Sequence, residues 1–323
     1  MTAVDQTGMS SRPAVISCAD VAMLPAACCA LLSARQNLTD PQARYFLLAV
    51  DIDAVGKEQV KAFSDLYGFA IEVLDYVSPQ FEGQHFGRWA PATVARLYLD
   101  RHVPADVSRL LYIDADTLVS TALDPLFATD MADHPAAAVD DYVMAFPAKM
   151  NARLSKIGMV TDSRYFNAGV LLLNWSRIMN GDNVIADART LFAAQSKLFD
   201  CPDQDALNIV MQGRWLALDP RWNTQTGLLP VVETPGIVHF TGRKKPWHHR
   251  AQWPHRASKR YYTDALAESP WAGFCAPTSC AEVVRSFVAH RTLLASSRRK
   301  TAAVTRYFSR SQAVSPKGAF SSR

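Results

Sequence analysis

Short apolar runs alternate with longer amphipathic stretches along most of the chain. Residues 14–18 (AVISC) are apolar and β-prone. They pass through Ala19-Asp20 into an Ala/Leu/Cys-rich segment from Leu24 to Ala34, an order that predicts strand, turn and helix. Tyr45–Val50 (YFLLAV) predicts a second buried strand bounded by Asp51. Over Lys57–Tyr67, the residues Val60, Phe63 and Tyr67 form one stripe at helical spacing, and Ile71–Leu74 follows as a third strand. Ala90–Asp100 predicts a helix opened by Pro91, and Arg109–Ile113 a strand running into Asp114-Ala115-Asp116. Residues 136–139 end at Asp140-Asp141, and Asn167–Asn174 is another buried strand. Asp203–Gln212 predicts a helix, and Ile237–Phe240 a strand leading into Gly-Arg-Lys-Lys-Pro-Trp. Strands alternating with helices predict an α/β fold with a mostly parallel sheet and crossover helices.

The chain has 323 residues, 49% of them hydrophobic, enough to bury a substantial core. No repeat and no Ser/Gly linker interrupts residues 1–270, so one continuous domain over 13–280 is the simpler reading. Residues 1–12 are polar, expected to be disordered, and carry no signal-peptide apolar region. From Ala281 onward the character changes: nine Lys/Arg stand against the single acid Glu282, while the rest of the chain has 25 basic and 29 acidic residues. Val283, Val284, Phe287, Val288 and Leu294 fall roughly on one side of a helix, and Tyr307 and Phe308 follow among further arginines. Residues 281–323 therefore read as a basic amphipathic tail suited to an anionic membrane surface, or else as a solvated disordered tail. Basic residues confined to a tail, without an accompanying binding fold, argue against a nucleic-acid partner. No apolar run reaches the length of a membrane span. The six cysteines form no close set of four for a zinc site, and free thiols in a reducing compartment are expected.

Four stretches carry candidate chemistry. In Leu110-Leu111-Tyr112-Ile113-Asp114-Ala115-Asp116 an apolar strand delivers two carboxylates one residue apart. Residues two apart in an extended chain face the same side, so both can reach one cation. Strand ends border the ligand crevice of open α/β sheets, and hard oxygen ligands suit Mg²⁺ or Mn²⁺. In His239-Phe240-Thr241-Gly242-Arg243-Lys244-Lys245-Pro246-Trp247, the imidazole could be a third ligand, Gly242 would let the backbone turn tightly near a ligand, and Lys245 could face a phosphate. Tyr165–Asn174 and Asp203-Gln204-Asp205-Ala206-Leu207-Asn208 offer amide donors and acceptors that suit sugar hydroxyls, or equally caps and turns.

In that order, D-A-D, F-N-A-G-V-L-L-L-N, D-Q-D-A-L-N and H-F-T-G-x-x-K-P-W resemble family-8 glycosyltransferases, of the bacterial lipooligosaccharide or lipopolysaccharide α-galactosyltransferase and α-glucosyltransferase type. The resemblance runs from Ala14 to Trp271. It implies a GT-A fold and retaining transfer of galactose or glucose from UDP-galactose or UDP-glucose to a saccharide acceptor, with a glycolipid of surface-glycan synthesis expected. Mn²⁺ is the implied cofactor, Mg²⁺ the second candidate. By motif, Asp114, Asp116 and His239 would hold the metal. Gly242 and Lys245 would contact the pyrophosphate, and Asp20 would lie near the uracil. Arg96, Asp114, Ala115, Asp140, Asn167, Ala168 and Gly169 would face the donor, with Asp203 and Gln204 flanking the anomeric carbon. The resemblance departs at Asp20-Val21-Ala22-Met23, where the family often has D-D-N-Y, which removes two polar contacts to the nucleotide. The expected location is the cytoplasm, with peripheral attachment at the inner membrane through the tail left open. Two rival readings stand beside it. One is a catalytically silent nucleotide-sugar-binding protein. The other is a haloacid-dehalogenase-like phosphatase, which also places D-x-D after an apolar strand and whose distal acidic pair Val139-Asp140-Asp141 resembles. That family, however, has Thr or Val where Leu118 stands, and only about 25 residues separate the two acidic pairs.

Overall fold

The structure, a computed structural model, describes residues 12–79, 91–242, 245–247, 256–274 and 300–309. Ten strands run in chain order: β1 (Pro13–Ala19), β2 (Arg44–Val50), β3 (Glu72–Tyr76), β4 (Arg109–Ile113), β5 (Thr117–Val119), β6 (Ala136–Asp140), β7 (Phe166–Asn174), β8 (Trp215–Ala217), β9 (Thr224–Gln225) and β10 (Ile237–His239). The helices are α1 (Leu24–Gln36), α2 (Ala54–Tyr67), α3 (Asp124–Phe127), α4 (Pro147–Lys156), α5 (Trp175–Met179), α6 (Val184–Gln195), α7 (Pro202–Val210) and α8 (Arg256–Leu266). Seven strands form one sheet in the order β3-β2-β1-β4-β7-β6-β8. Its pairs are parallel except that β7 runs antiparallel to both β4 and β6. The expected α/β fold with a mostly parallel sheet is thus present, with one reversed strand in the middle.

Successive side chains of a strand point to opposite faces, and both faces of this sheet are covered. Val15, Leu47, Leu111 and Leu172 join the core on one face, with α1. Ile16, Phe46, Leu48, Leu110, Leu171 and Leu173 join the core on the other. Helix α1 explains the long Ala/Leu/Cys run: every residue from Leu24 to Ala34 is buried, so the helix has no solvent face to be polar. Cys18, Cys28, Cys29 and Cys201 are free thiols, and burial pushes Cys18 up to about 12, where it stays protonated. Cys275 and Cys280 lie outside the described residues.

Most boundaries differ from the periodicity reading by a residue or two, and three of the differences have a visible cause. Helix α2 begins at Ala54 because Asp53 accepts from the Gly56 N–H at 2.9 Å, a cap that lies outside the apolar stripe. The third strand extends to Tyr76, whose backbone carries the pairing on to Val50. The segment read as a helix over Ala90–Asp100 is a 3₁₀ helix over Pro91–Arg101. Its three-residue turn stacks Val94 and Leu97, both fully buried, on one face.

A second, three-stranded sheet has the order β5-β10-β9. Strand β10 pairs antiparallel with β5, placing His239 opposite Thr117, one residue past the Asp114–Asp116 turn. The small sheet therefore brings together two motifs far apart in the chain.

The amphipathic positions Val283 to Leu294 of the tail lie outside the described residues. Residues 300–309 are helical, and they pack against the core of the sheet. Val304 is 2% and Phe308 4% exposed, both within the core that contains α1. Burial of such side chains contributes roughly 1.5–3 kcal/mol each. Phe308, expected among the membrane-facing residues of the tail, faces the protein.

Candidate active site

Strand β4 is buried and ends at Ile113, so the next three residues turn at the edge of the sheet. The turn is held by Thr117, whose N–H and hydroxyl both donate to the Asp114 carbonyl, at 3.1 and 2.7 Å. His239, 4% exposed, enters from β10. Its Nε2 lies 3.5 Å from Asp114 Oδ2 and 3.4 Å from Asp116 Oδ1. The three donor atoms all lie within 4.8 Å of one another. The other ring nitrogen, Nδ1, lies 3.0 Å from Asn223 Oδ1. An amide oxygen can only accept, so Nδ1 carries the proton and Nε2 presents its lone pair to the carboxylates. Two carboxylate oxygens and a neutral imidazole fit a divalent cation. Burial would raise Asp116, but His239, when its ring is protonated in the absence of a cation, and Lys245 outweigh it and hold the carboxyl well below the usual carboxylate range.

Gly169 explains why this cluster can close. A Cβ there would sit 2.1 Å from His239 Cε1 and 2.7 Å from Asp114 Oδ2, so no other residue fits without moving the ligands. Its carbonyl also accepts from the Asp114 N–H at 2.8 Å.

Arg96 sits behind the carboxylates, on the 3₁₀ helix, and is 6% exposed. Its guanidinium donates to Asp114 Oδ1 at 2.7 Å and to the Ala168 carbonyl at 2.6 Å, pairs with Asp203 at 2.8 Å, and stacks 4.5 Å from the Tyr112 ring centroid. One cation thus ties the carboxylate turn to the start of α7. Burial raises the Asp203 carboxyl, though Arg96 opposes this.

Gln204, next in α7, uses both ends of its carboxamide. Its Oε1 accepts from the Ala168 N–H at 3.0 Å and from Asn167 Nδ2 at 3.3 Å. Its Nε2 donates to Asp141 Oδ2 at 3.1 Å and to the Tyr165 hydroxyl at 3.2 Å. Asn167 also donates to Asp141 Oδ2 at 3.2 Å, and its Oδ1 accepts from Asn223 Nδ2 at 2.9 Å. A continuous hydrogen-bond path therefore runs from His239 through Asn223 and Asn167 to Gln204.

The rest of D-Q-D-A-L-N builds the scaffold. Asp205 caps α7 by accepting from the N–H groups of Asp200 and Cys201, each at 2.9 Å, and pairs with Arg153 at 2.7 Å. Asn208 exchanges hydrogen bonds with the backbone N–H and carbonyl of Phe166 at 2.8 and 3.0 Å, fastening α7 to β7.

Most of the residues singled out in the sequence converge here: Arg96, Asp114, Ala115, Asp116, Asn167, Ala168, Gly169, Asp203, Gln204 and His239. Lys245 also arrives, but its ammonium rests on Asp116 and donates to the Phe240 carbonyl at 2.7 Å. Gly242 has φ +88°, the left-handed conformation that favours glycine. Asp20 lies at the same edge of the sheet, at the end of β1, with Oδ1 accepting from the Met23 N–H at 3.2 Å. Beside it Val21 is 66% exposed.

Asp140 does not join them. The pairing of β6 with β7 shifts register between Ala138 and Asp140. Such a bulge re-aims side chains. Asp140 turns to Arg164 at 2.6 Å and to Tyr307, and it is Asp141 that meets Gln204 and Asn167. Asp141 and Asn223 are the site residues that sequence reasoning passed over. The second half of Asp140-Asp141 was visible as a pair, but which acid faces inward depends on the bulge. Asn223 sits in Pro-Arg-Trp-Asn, which carries no chemical signature of its own.

Residues 14–251 match the family described as Glycosyl transferase family 8. General stress protein A of Bacillus subtilis is 26% identical over 250 residues, covering 68% of this chain and 82% of that protein. Lipopolysaccharide 1,2-glucosyltransferase of Escherichia coli is 29% identical over 196 residues, 57% of this chain and 56% of that protein, so the chain spans little more than half of that relative. A crystal structure of the galactosyltransferase LgtC in complex with donor and acceptor sugar analogues has a TM-score of 0.71 at 25% identity, covering 81% of this chain and 99% of that one.

Proposed function

Because this chain belongs to glycosyl transferase family 8, we propose that it moves a hexose, galactose or glucose, from a UDP-sugar to a saccharide acceptor with retention of configuration. The observation that carries this reading is the joining of Asp114, Asp116 and His239 to Gln204 by one hydrogen-bond path at the strand ends of an α/β sheet. Mn²⁺, or Mg²⁺ in its place, is the metal proposed for the three ligands; it would neutralise charge on the UDP leaving group. The relatives named for lipopolysaccharide glucosyl transfer favour a glycolipid acceptor, and with it a location at the cytoplasmic face of a membrane. No helix among the described residues is long and apolar enough to cross a membrane. The catalytic domain is proposed to span residues 13–280.

The chain's own residues divide the work. Lys245 and the left-handed turn at Gly242 face the pyrophosphate, and Asp20 the uracil. Arg96 keeps Asp114 and Asp203 in register, while Asn167, Ala168, Gly169 and Asp141 line the sugar. Cleaving the bond from the anomeric carbon to the phosphate oxygen builds charge on UDP, so a lysine that binds that charge stabilises the transition state more than the ground state. Retention by a covalent intermediate needs a free carboxylate within bonding reach of the anomeric carbon. Here Asp203 is tied to Arg96, the Asp141 carboxylate is taken up by Gln204, Asn167 and the Val143 N–H, and the residue beside Asp203 is the neutral Gln204. We therefore favour attack on the face that the leaving group departs. The acceptor oxygen bonds to the anomeric carbon as the phosphate leaves, and the acceptor's hydroxyl proton passes to the departing phosphate oxygen. Gln204, fixed at both ends, presents an oriented amide dipole to the cationic sugar.

The test is release of UDP from a panel of UDP-sugars with Mn²⁺, with Mg²⁺ and with chelator. Release from one sugar, abolished by chelator, supports the reading and names the donor. Absence of both release and UDP binding in a folded protein, with acceptor present, would sink it. Gln204→Ala is expected to lower turnover by roughly 10²-fold, the scale of losing one positioned transition-state dipole; near-normal turnover would remove Gln204 from the chemistry.

A further inference from the structure

We propose that the helix over residues 300–309, which lies beyond the 13–280 span, docks on the catalytic domain and takes part in its work. In this role it fixes the end of β6 through Tyr307 and Asp140, and so holds Asp141 against Gln204. The inference rests on the transferase reading above.

The end of β6 needs such support. Its ladder to β7 shifts register between Ala138 and Asp140 and resumes only at Asp140–Phe166, with the Asp141 N–H donating to the Tyr165 carbonyl at 2.9 Å and Asp141 Oδ1 accepting from the Val143 N–H at 2.9 Å. Three further contacts hold the residue before it, Asp140, and the peptides on either side of Asp141. Gln225, fully buried, donates from Nε2 to the Asp140 carbonyl at 2.9 Å and accepts at Oε1 from the Tyr142 N–H at 2.9 Å, gripping the backbone on both sides of Asp141. Arg164 grips the Asp140 carboxylate through two nitrogens at 3.1 and 2.6 Å, with its guanidinium 4.9 Å from the Trp215 ring centroid. The Tyr307 hydroxyl donates to Asp140 Oδ2 at 3.3 Å. Arg164 is half-exposed and its side chain alone leaves the carboxylate short of partners, whereas the Asp140 side chain is 2% exposed. A buried carboxylate needs its acceptor sites filled, and a hydroxyl held by a packed helix fills one without added charge.

The helix itself is seated by Val304 and Phe308, so Tyr307 is brought to Asp140 by core packing. The outward residues Lys300, Thr305 and Arg306 are exposed. Tyr307 is a positioning residue: it touches neither the proposed metal ligands nor Gln204, and acts two steps away through Asp140 and the Asp140–Asp141 peptide. It sits at the β6–β8 side of the sheet, opposite the β1–β3 side where Asp20 lies, so its loss should spare nucleotide binding.

The experiment uses the full chain with Tyr307→Phe, Asp140→Asn, the pair together, and Val304→Asp as an undocking control. Trypsin cleavage after Arg306 reports docking independently of activity, because a peptide bond inside a packed helix resists cleavage until the helix leaves. Expected are protection of Arg306 in wild type and in Tyr307→Phe, with cleavage in Val304→Asp. Tyr307→Phe should lower kcat for sugar transfer roughly three- to tenfold, part of the worth of a hydrogen bond to a charged group, with KM for the donor and UDP affinity unchanged. The double variant should lose less than the product of the two single losses. Unchanged kcat in Tyr307→Phe with Arg306 still protected would overturn the proposal, as would cleavage after Arg306 in the wild type. A wild type that turned over no UDP-sugar yet kept Arg306 protected would sink the transferase reading and this role together, leaving the docked helix as packing alone.

Discussion

Asn223 sits one bond behind the proposed metal ligands and decides which tautomer His239 adopts. Asn223→Leu keeps the branched shape but cannot accept a hydrogen bond from Nδ1–H, so Nε2 is free to become the protonated nitrogen. The variant should bind Mn²⁺ about 10–100-fold more weakly, the usual cost of losing an outer partner of a ligating histidine; a Mn²⁺ titration followed by electron spin resonance reads this directly. Gly169→Ala should be more severe, because the added carbon would meet both His239 and Asp114. It should abolish saturable Mn²⁺ binding in the same titration while the protein still folds; retained affinity would show that the ligands can shift to make room. That Asp114, Asp116 and His239 could meet was legible in the sequence because an apolar strand ending in two carboxylates, and a histidine ending another strand, are local patterns. Asn223 and Asp141 were not. Each works through a partner far away in the chain, and nothing within a few residues of either marks it.

At the scale of elements, the strands were read most faithfully, because a strand buried on both faces shows as an unbroken apolar run. The antiparallel sense of β7 and the short strands β5, β8 and β9 were not legible: direction is set by connections across the sheet, and two or three residues carry no periodicity. The 3₁₀ winding of Pro91–Arg101 escaped for a similar reason, since Val94 and Leu97 fit helical spacing at either pitch. A short element also carries the clearest acid sensitivity. After α5, Asp182 receives Arg177 at 2.7 Å and also Arg214. Partial burial works to raise this carboxyl, but the two guanidiniums overcome it and hold it below its ordinary value. With the folded value depressed, the contribution is complete above the ordinary carboxylate range and is lost as pH falls through the folded value. Asp182→Asn should therefore lower the melting temperature slightly at neutral pH and leave it unchanged near pH 2, an effect that shrinks in high salt. Equal effects at both pH values would contradict the ion-pair assignment.

For the whole molecule, ligand linkage gives a test that needs no turnover. Anything that binds only the folded chain stabilises it, by about 2.7 kcal/mol at a hundred times its dissociation constant. Mn²⁺ and UDP together should raise the melting temperature more than the sum of their separate effects, since the two are proposed to share one site; simple additivity would place them apart. The charge distribution, a basic end on a slightly acidic body, was legible from composition. That part of this end folds back onto the domain was not, because Val304 and Phe308 look the same in a sequence whether they face lipid or protein.

The proposed metal ligands Asp114, Asp116 and His239 join the end of β4 to the end of β10, two strands of different sheets. This has a consequence for the order in which the chain is made. A nascent product that stops before His239 already contains every strand of the large sheet and both carboxylates, yet lacks the imidazole and the strand that carries it. Such a product is a folded half-site with a weak hold on cations and no means of closing. Completion of the proposed site therefore comes late in synthesis, because His239, Gly242, Lys245 and the helix over 300–309 all follow the last strand of the large sheet.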